Sequence, residues 1–112
     1  MADTDAINTA MIAWLDSLAT QRPQGLDRLT DGLLDAVGAP PIPSRYQPGG
    51  GAAAIMEYAQ AKTFGKLMAE KRSRQAWLAY GAADKAGDAP GMEEGHQLAK
   101  FWEYVAAWLN QQ

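Results

Sequence analysis

The 112-residue sequence contains no cysteine and only one histidine, His96. Without cysteine there can be no disulfide bonds, thiolate zinc sites or cysteine nucleophiles, and this composition is compatible with a reducing compartment. A single imidazole also leaves too few ligands for zinc, which takes at least three from the protein. We therefore expect no metal, no cofactor and no catalytic residue.

A basic leader and long apolar runs are missing as well. The N-terminal stretch MADTDAINTAMIAWL has aspartates where a signal peptide would have positive charges. No window approaches the roughly 18 consecutive apolar residues of a membrane span. We expect a cytoplasmic protein without a membrane partner.

β-branched residues are few, with two valines and four isoleucines, and they do not alternate along any run. Strands are therefore not expected. The hydrophobic fraction of 47% and the charged fraction of 21% are ordinary for a globular chain, and the length suits one domain. We expect a single all-α domain over residues 1–112.

Apolar residues at helical spacing predict a small bundle of four helices, at residues 4–21, 25–37, 52–82 and 91–110. The first two are short and form an αα-hairpin. The third is long, and the last is strongly amphipathic. The third is apolar on two sides, which is typical of a central helix or of a helix that bends. A break near Gly65 or Ser73, giving five helices, stays open.

A Pro/Gly-rich crossover at residues 38–51, APPIPSRYQPGGG in its main part, separates the predicted second and third helices. Its prolines favour an extended chain, whereas its three glycines favour a joint. A pure spacer has little use for Ile42 and Tyr46, so we expect these two side chains to pack on the helices. The alternative is that this segment docks on a partner through Tyr46.

The most basic part of the chain is the segment 62–74. Its positive side chains are Lys62, Lys66, Lys71, Arg72 and Arg74. With Phe64 and Trp77 nearby, they can contact phosphates and bases, which makes nucleic-acid binding one hypothesis. However, they spread around most of the helix, and the sequence pI is about 5.0. Pairing with the aspartates of the first hairpin is the favoured interpretation.

The four tryptophans fall on three predicted helices, which is typical of a shared aromatic core. Trp102 and Trp108, however, lie toward opposite edges of the apolar face of the last helix. Two interpretations therefore stay open. In the favoured one all four tryptophans lie in the core; in the other, one core cannot hold both Trp102 and Trp108, and the tryptophan left at the surface anchors a partner.

His96 follows Glu93 by three residues on the polar side of the last helix. This spacing matches half of the Glu-x-x-His pattern of di-iron proteins, but such a site needs the pattern twice. A small enzyme or metal protein that uses His96 is therefore the third hypothesis.

The leading expectation is a non-catalytic intracellular protein–protein interaction module, such as a subunit, adaptor, assembly chaperone or inhibitor of a larger complex. Its partner would be a protein, with self-association as an open alternative. A nucleic-acid-associated protein using residues 62–74 is the second hypothesis. The candidate partner-binding residues are Tyr46, Lys62, Lys66, Lys71, Arg72, Arg74, Trp102 and Trp108.

Overall fold

A computed structural model describes residues 4–20 and 51–111 of the chain. These ranges hold the helices α1 (Thr4–Thr20), α2 (Gly51–Ala86) and α3 (Ala89–Asn110), and they contain no strand, so the all-helical prediction is confirmed for them. None of the three helices is long and apolar enough to cross a membrane. The predicted helix at 25–37, the αα-hairpin and the crossover with Ile42 and Tyr46 lie outside the described residues.

α2 and α3 are joined by a turn of only two residues, Gly87 and Asp88. Gly87 has a φ of +68°, and the Asp88 amide donates to the Ala83 carbonyl at 2.9 Å, as in a Schellman motif. The Asp88 side chain then caps α3 by accepting from the Gly91 amide at 3.0 Å. Pro90 lies in the first turn, where its missing N–H costs nothing. Gly87, Asp88 and Pro90 thus end α2 and begin α3, and both helices extend further toward this turn than the predicted ranges 52–82 and 91–110.

α2 continues without a break through Gly65 and Ser73. Gly65 faces the Met11 side chain, and a Cβ there would lie 3.2 Å from Leu109 Cδ1. The Ser73 hydroxyl donates to the Ala99 carbonyl at 3.0 Å. Both residues are thus positions where α2 contacts a neighbouring helix, which explains why small residues occur there without interrupting the helix.

α1 runs parallel to α2. Ile7 lies in one apolar cluster with Ala61, and Asp16 pairs with Arg72, so residue numbers rise together along the two helices. The end of α1 is then level with about residue 74 of α2, roughly 35 Å along the axis from the start of α2.

α3 runs antiparallel to α2. Gly95 lies against Tyr80 at one end of the pair, and Lys66 Nζ donates to Asn110 Oδ1 at 3.1 Å at the other. The main core forms where all three helices meet. Its fully or almost fully buried members include Leu15, Leu18, Ala69, Phe101, Trp102, Val105, Trp108 and Leu109.

Apart from Glu57, the buried residues of α2 are small. They are Ala61, Gly65, Ala69, Ser73, Ala76 and Ala83. Small side chains let the helix axes approach closely, so the bulk of the core comes from α1 and α3. Several of the larger apolar side chains that made α2 apolar on two sides lie at the surface; they are Ile55, Met56, Leu67 and Leu78.

Gly95→Ala is expected to destabilise the fold by about 1–3 kcal/mol, because the new Cβ would lie 3.0 Å from the Tyr80 backbone nitrogen. Gly81→Ala is the matched control, since nothing lies within 4 Å of its Cβ position. In that mid-helix position alanine should stabilise by about 0.5–1 kcal/mol. Urea unfolding of both variants measures the two changes, and equal shifts of the same sign would contradict the close contact.

Candidate interaction surface

Large apolar side chains are exposed in a line along α2. Met56 and Leu78 are 71% and 75% exposed, and Leu67, midway between them, is 57% exposed. The spacing of eleven residues is close to three helical turns, so all three lie on one side of the helix. We call Met56, Leu67 and Leu78 the exposed stripe. Ile55, the residue before Met56, is also 71% exposed.

A shallow apolar groove between α1 and α2 adjoins the exposed stripe. It is lined by Asn8, Ala59, Gln60, Thr63, Phe64 and Leu67. Leu67 belongs to both features, which makes it the centre of the apolar surface on this side of the molecule.

Sequence reasoning missed this surface because it interpreted the large apolar residues of α2 as two sides of a central or bending helix. The signal that would have found it is the run of small residues at intervals of four, from Ala61 through Gly65 and Ala69 to Ser73. This run marks the packed side of α2, and the large apolar residues lie elsewhere on the helix.

Trp77 is at the centre of a second aromatic cluster, where α2 meets the N-terminal half of α3. It is 36% exposed, and its ring lies edge-on to Tyr80 at 5.5 Å and to His96 at 5.6 Å. Lys100 Nζ lies 5.8 Å from the centre of the Trp77 ring. His96 is thus half-buried in an aromatic contact, whereas the sequence placed it on a polar face.

The structure gives Glu93 and His96 different neighbours. Glu93 Oε1 accepts from Gln97 Nε2 at 3.2 Å, while the His96 ring packs on Trp77 and Tyr80. Within residues 4–20 and 51–111, no three His, Asp or Glu side chains come together as metal ligands would.

Arg72 is partly buried and contacts the two other helices. Its guanidinium donates to Asp16 Oδ1 at 2.8 Å and lies 4.8 Å from the centre of the Trp102 ring. The predicted pairing of the basic segment with aspartates of the first helix is confirmed for this residue. Arg72 therefore links α1, α2 and α3.

The other cations of the basic segment point in several directions. Lys66 Nζ contacts Asn110 and lies 4.0 Å from Glu70 Oε1, and Lys62 is half-buried and also engaged. Lys71 and Arg74 are exposed. The five candidate cations are therefore not gathered on one surface.

Trp102 and Trp108 are both buried, at 4% and 7% exposure. The expectation that one of them reaches the surface as a partner anchor is wrong. The two edges of α3 meet different helices: Trp108 stacks on Trp14 of α1 with ring centres 6.0 Å apart, and Trp102 lies under Arg72 of α2. Because α1 and α2 each cover one edge of α3, a wide apolar face of α3 can be buried.

Glu57 is 4% exposed, and its Oε2 atom has no hydrogen-bond partner in the described part of the chain. Burying a charged carboxylate without a partner is costly. Glu57→Gln keeps the shape and removes the charge, so it should raise the free energy of unfolding at neutral pH by about 1 kcal/mol.

Glu70→Gln is the control for this substitution, because the Glu70 side chain is 40% exposed and its change should stay within about 0.5 kcal/mol. Thermal and urea unfolding measure both variants. A loss of stability in Glu57→Gln would show instead that the carboxylate is paired in the folded chain.

The contacts of Arg72 predict a graded response. Arg72→Met removes both the ion pair and the ring contact, and should destabilise by about 1 kcal/mol. Asp16→Asn removes only the ion pair, whose carboxylate is exposed, and should lower the free energy of unfolding by less than about 0.5 kcal/mol. This difference from wild type should become smaller at about 1 M salt, because salt screens the charges. Equal losses of stability in the two variants would mean that the contact between Arg72 and the Trp102 ring contributes nothing to stability.

No known protein family, curated protein or solved structure matches this chain. We therefore infer its function from the described side chains alone.

Proposed function

We propose that this chain is a non-catalytic protein–protein interaction module, of the kind that serves as a subunit, adaptor, assembly chaperone or inhibitor of a larger complex. The observation that supports this is the exposed stripe of Met56, Leu67 and Leu78. Transfer of one such side chain from water to an apolar contact is worth about 1.5–3 kcal/mol. A row of three on one helix is a surface suited to a partner.

The stripe is also held rigidly. α2 is unbroken over 36 residues, and α1 and α3 pack on its other sides. A preformed helix face loses little conformational entropy on binding, so more of the contact energy contributes to affinity. Recognition of an extended helix face by another helix or by an apolar groove fits this geometry.

We do not extend the proposal to nucleic acid. Phosphate binding needs several cations on one surface, and here Arg72 pairs with Asp16 while Lys66 contacts α3. The cations that remain exposed near the stripe, Lys71 and Arg74, are better placed to select a protein surface by charge.

Affinity purification from the native cells tests the proposal, with three forms of the chain in parallel. Wild type should retain a partner, and Leu67→Asp should lose most of it, because a carboxylate at the centre of the stripe opposes burial. Ala79→Asp puts the same charge on an exposed position of the same helix, about 120° away from Leu67, and should bind as wild type does.

Retention of the partner by Leu67→Asp would contradict a role for the stripe. A wild-type chain that retains nothing and remains a monomer in solution would contradict the proposed function as a whole. Far-UV circular dichroism confirms that each variant keeps its helical content before binding is compared.

A further inference from the structure

The outward face of α2 has a pattern that is the same in both directions from Leu67. Seven residues follow one another at spacings of 4, 3, 4, 4, 3 and 4: Met56, Gln60, Thr63, Leu67, Lys71, Arg74 and Leu78. All are exposed except Gln60, which is half-buried. Apolar residues occupy the centre and both ends, and polar residues fill the positions between them.

This pattern favours a long, straight partner surface. The stripe extends from Met56 to Leu78, which is roughly 33 Å at 1.5 Å per residue. Its eleven-residue interval keeps the apolar positions on one line of a nearly straight helix. The matching surface is therefore another straight helix of similar length with apolar residues at the same interval, and α2 of a second copy is such a surface.

We propose that this face binds a second copy of the chain, with the two α2 helices antiparallel across a two-fold axis at Leu67. Leu67 then contacts the partner's Leu67, and Met56 contacts the partner's Leu78. Each apolar residue of the stripe meets an apolar residue, as an isologous interface requires. This inference rests on the proposed function and names its partner.

The charges on the stripe favour the antiparallel direction. In that arrangement, Lys71 lies opposite the partner's Thr63 and Arg74 opposite the partner's Gln60, neither of which carries a charge. A parallel pair would instead place Lys71 opposite the partner's Lys71 and Arg74 opposite the partner's Arg74, which is destabilising.

The interface has three apolar layers separated by polar ones, so we expect a reversible dimer whose population depends on concentration. Sedimentation equilibrium of the wild-type chain should show this monomer–dimer exchange. Leu67→Asp places two carboxylates opposite each other on the two-fold axis and removes two leucines from the contact. It should weaken dimerisation at least about a hundredfold.

The absence of native cysteine permits a direct test of register, because each introduced cysteine is the only one in the chain. Leu67→Cys should form a disulfide-linked dimer on mild oxidation, since the two copies of this residue face each other. Met56→Cys and Leu78→Cys should each fail to crosslink alone, but an equal mixture of the two should crosslink. Ala79→Cys, exposed on another side of α2, controls for random collision.

Self-crosslinking of Met56→Cys at the rate of Leu67→Cys would indicate a parallel pair and overturn the proposed arrangement. A wild-type monomer at the highest attainable concentration would overturn the dimer. If Leu67→Asp is then destabilised much more than Ala79→Asp, which carries the same penalty for aspartate inside a helix, the stripe is covered by the chain itself. If that monomer instead captures a partner that Leu67→Asp loses, the proposed function stands and only the second copy is excluded.

Discussion

The close approach of α2 and α3 constrains the rest of the described structure. At Gly95 there is no room for a side chain beside the backbone of Tyr80, and Ser73 reaches the Ala99 carbonyl across the same seam. A helix that packs this closely must present small residues. The larger apolar side chains of α2 therefore lie on other sides, and three of them form the exposed stripe.

Because α2 supplies little bulk, α1 and α3 fill the core with large side chains. Trp108 reaches toward Trp14 of α1, and Trp102 is covered by Arg72. The Arg72 guanidinium also holds Asp16, so one side chain links all three helices. The domain thus combines a tightly packed helix pair with a third helix held by aromatic contacts and one ion pair. This arrangement keeps α2 rigid along the face that we propose as the interface.

The helical class and much of the helix geometry could be predicted from apolar spacing and from the absence of strand-forming runs. In α1, helical spacing relates Ile7, Met11, Trp14 and Leu18, but the structure buries Leu15 completely and Trp14 only partly. The candidate site was predicted less well. One of Trp102 and Trp108 was considered as a surface anchor, and the apolar residues of α2 were interpreted as two sides of a central or bending helix, because apolar character alone does not say which neighbour covers a side chain.

The amino-acid sequence by itself determined that the described segments form helices and which face of α3 is buried, because both depend on local periodicity. It also determined where α3 begins, because Asp88 caps the helix and Pro90 fits its first turn. Only the tertiary structure decided that the small residues of α2 form its packed face, that Arg72 belongs to the interior contacts, and that Met56, Leu67 and Leu78 face solvent. The physical reason is that burial depends on the distance and direction of neighbouring helices, which arise from contacts between residues far apart in the chain.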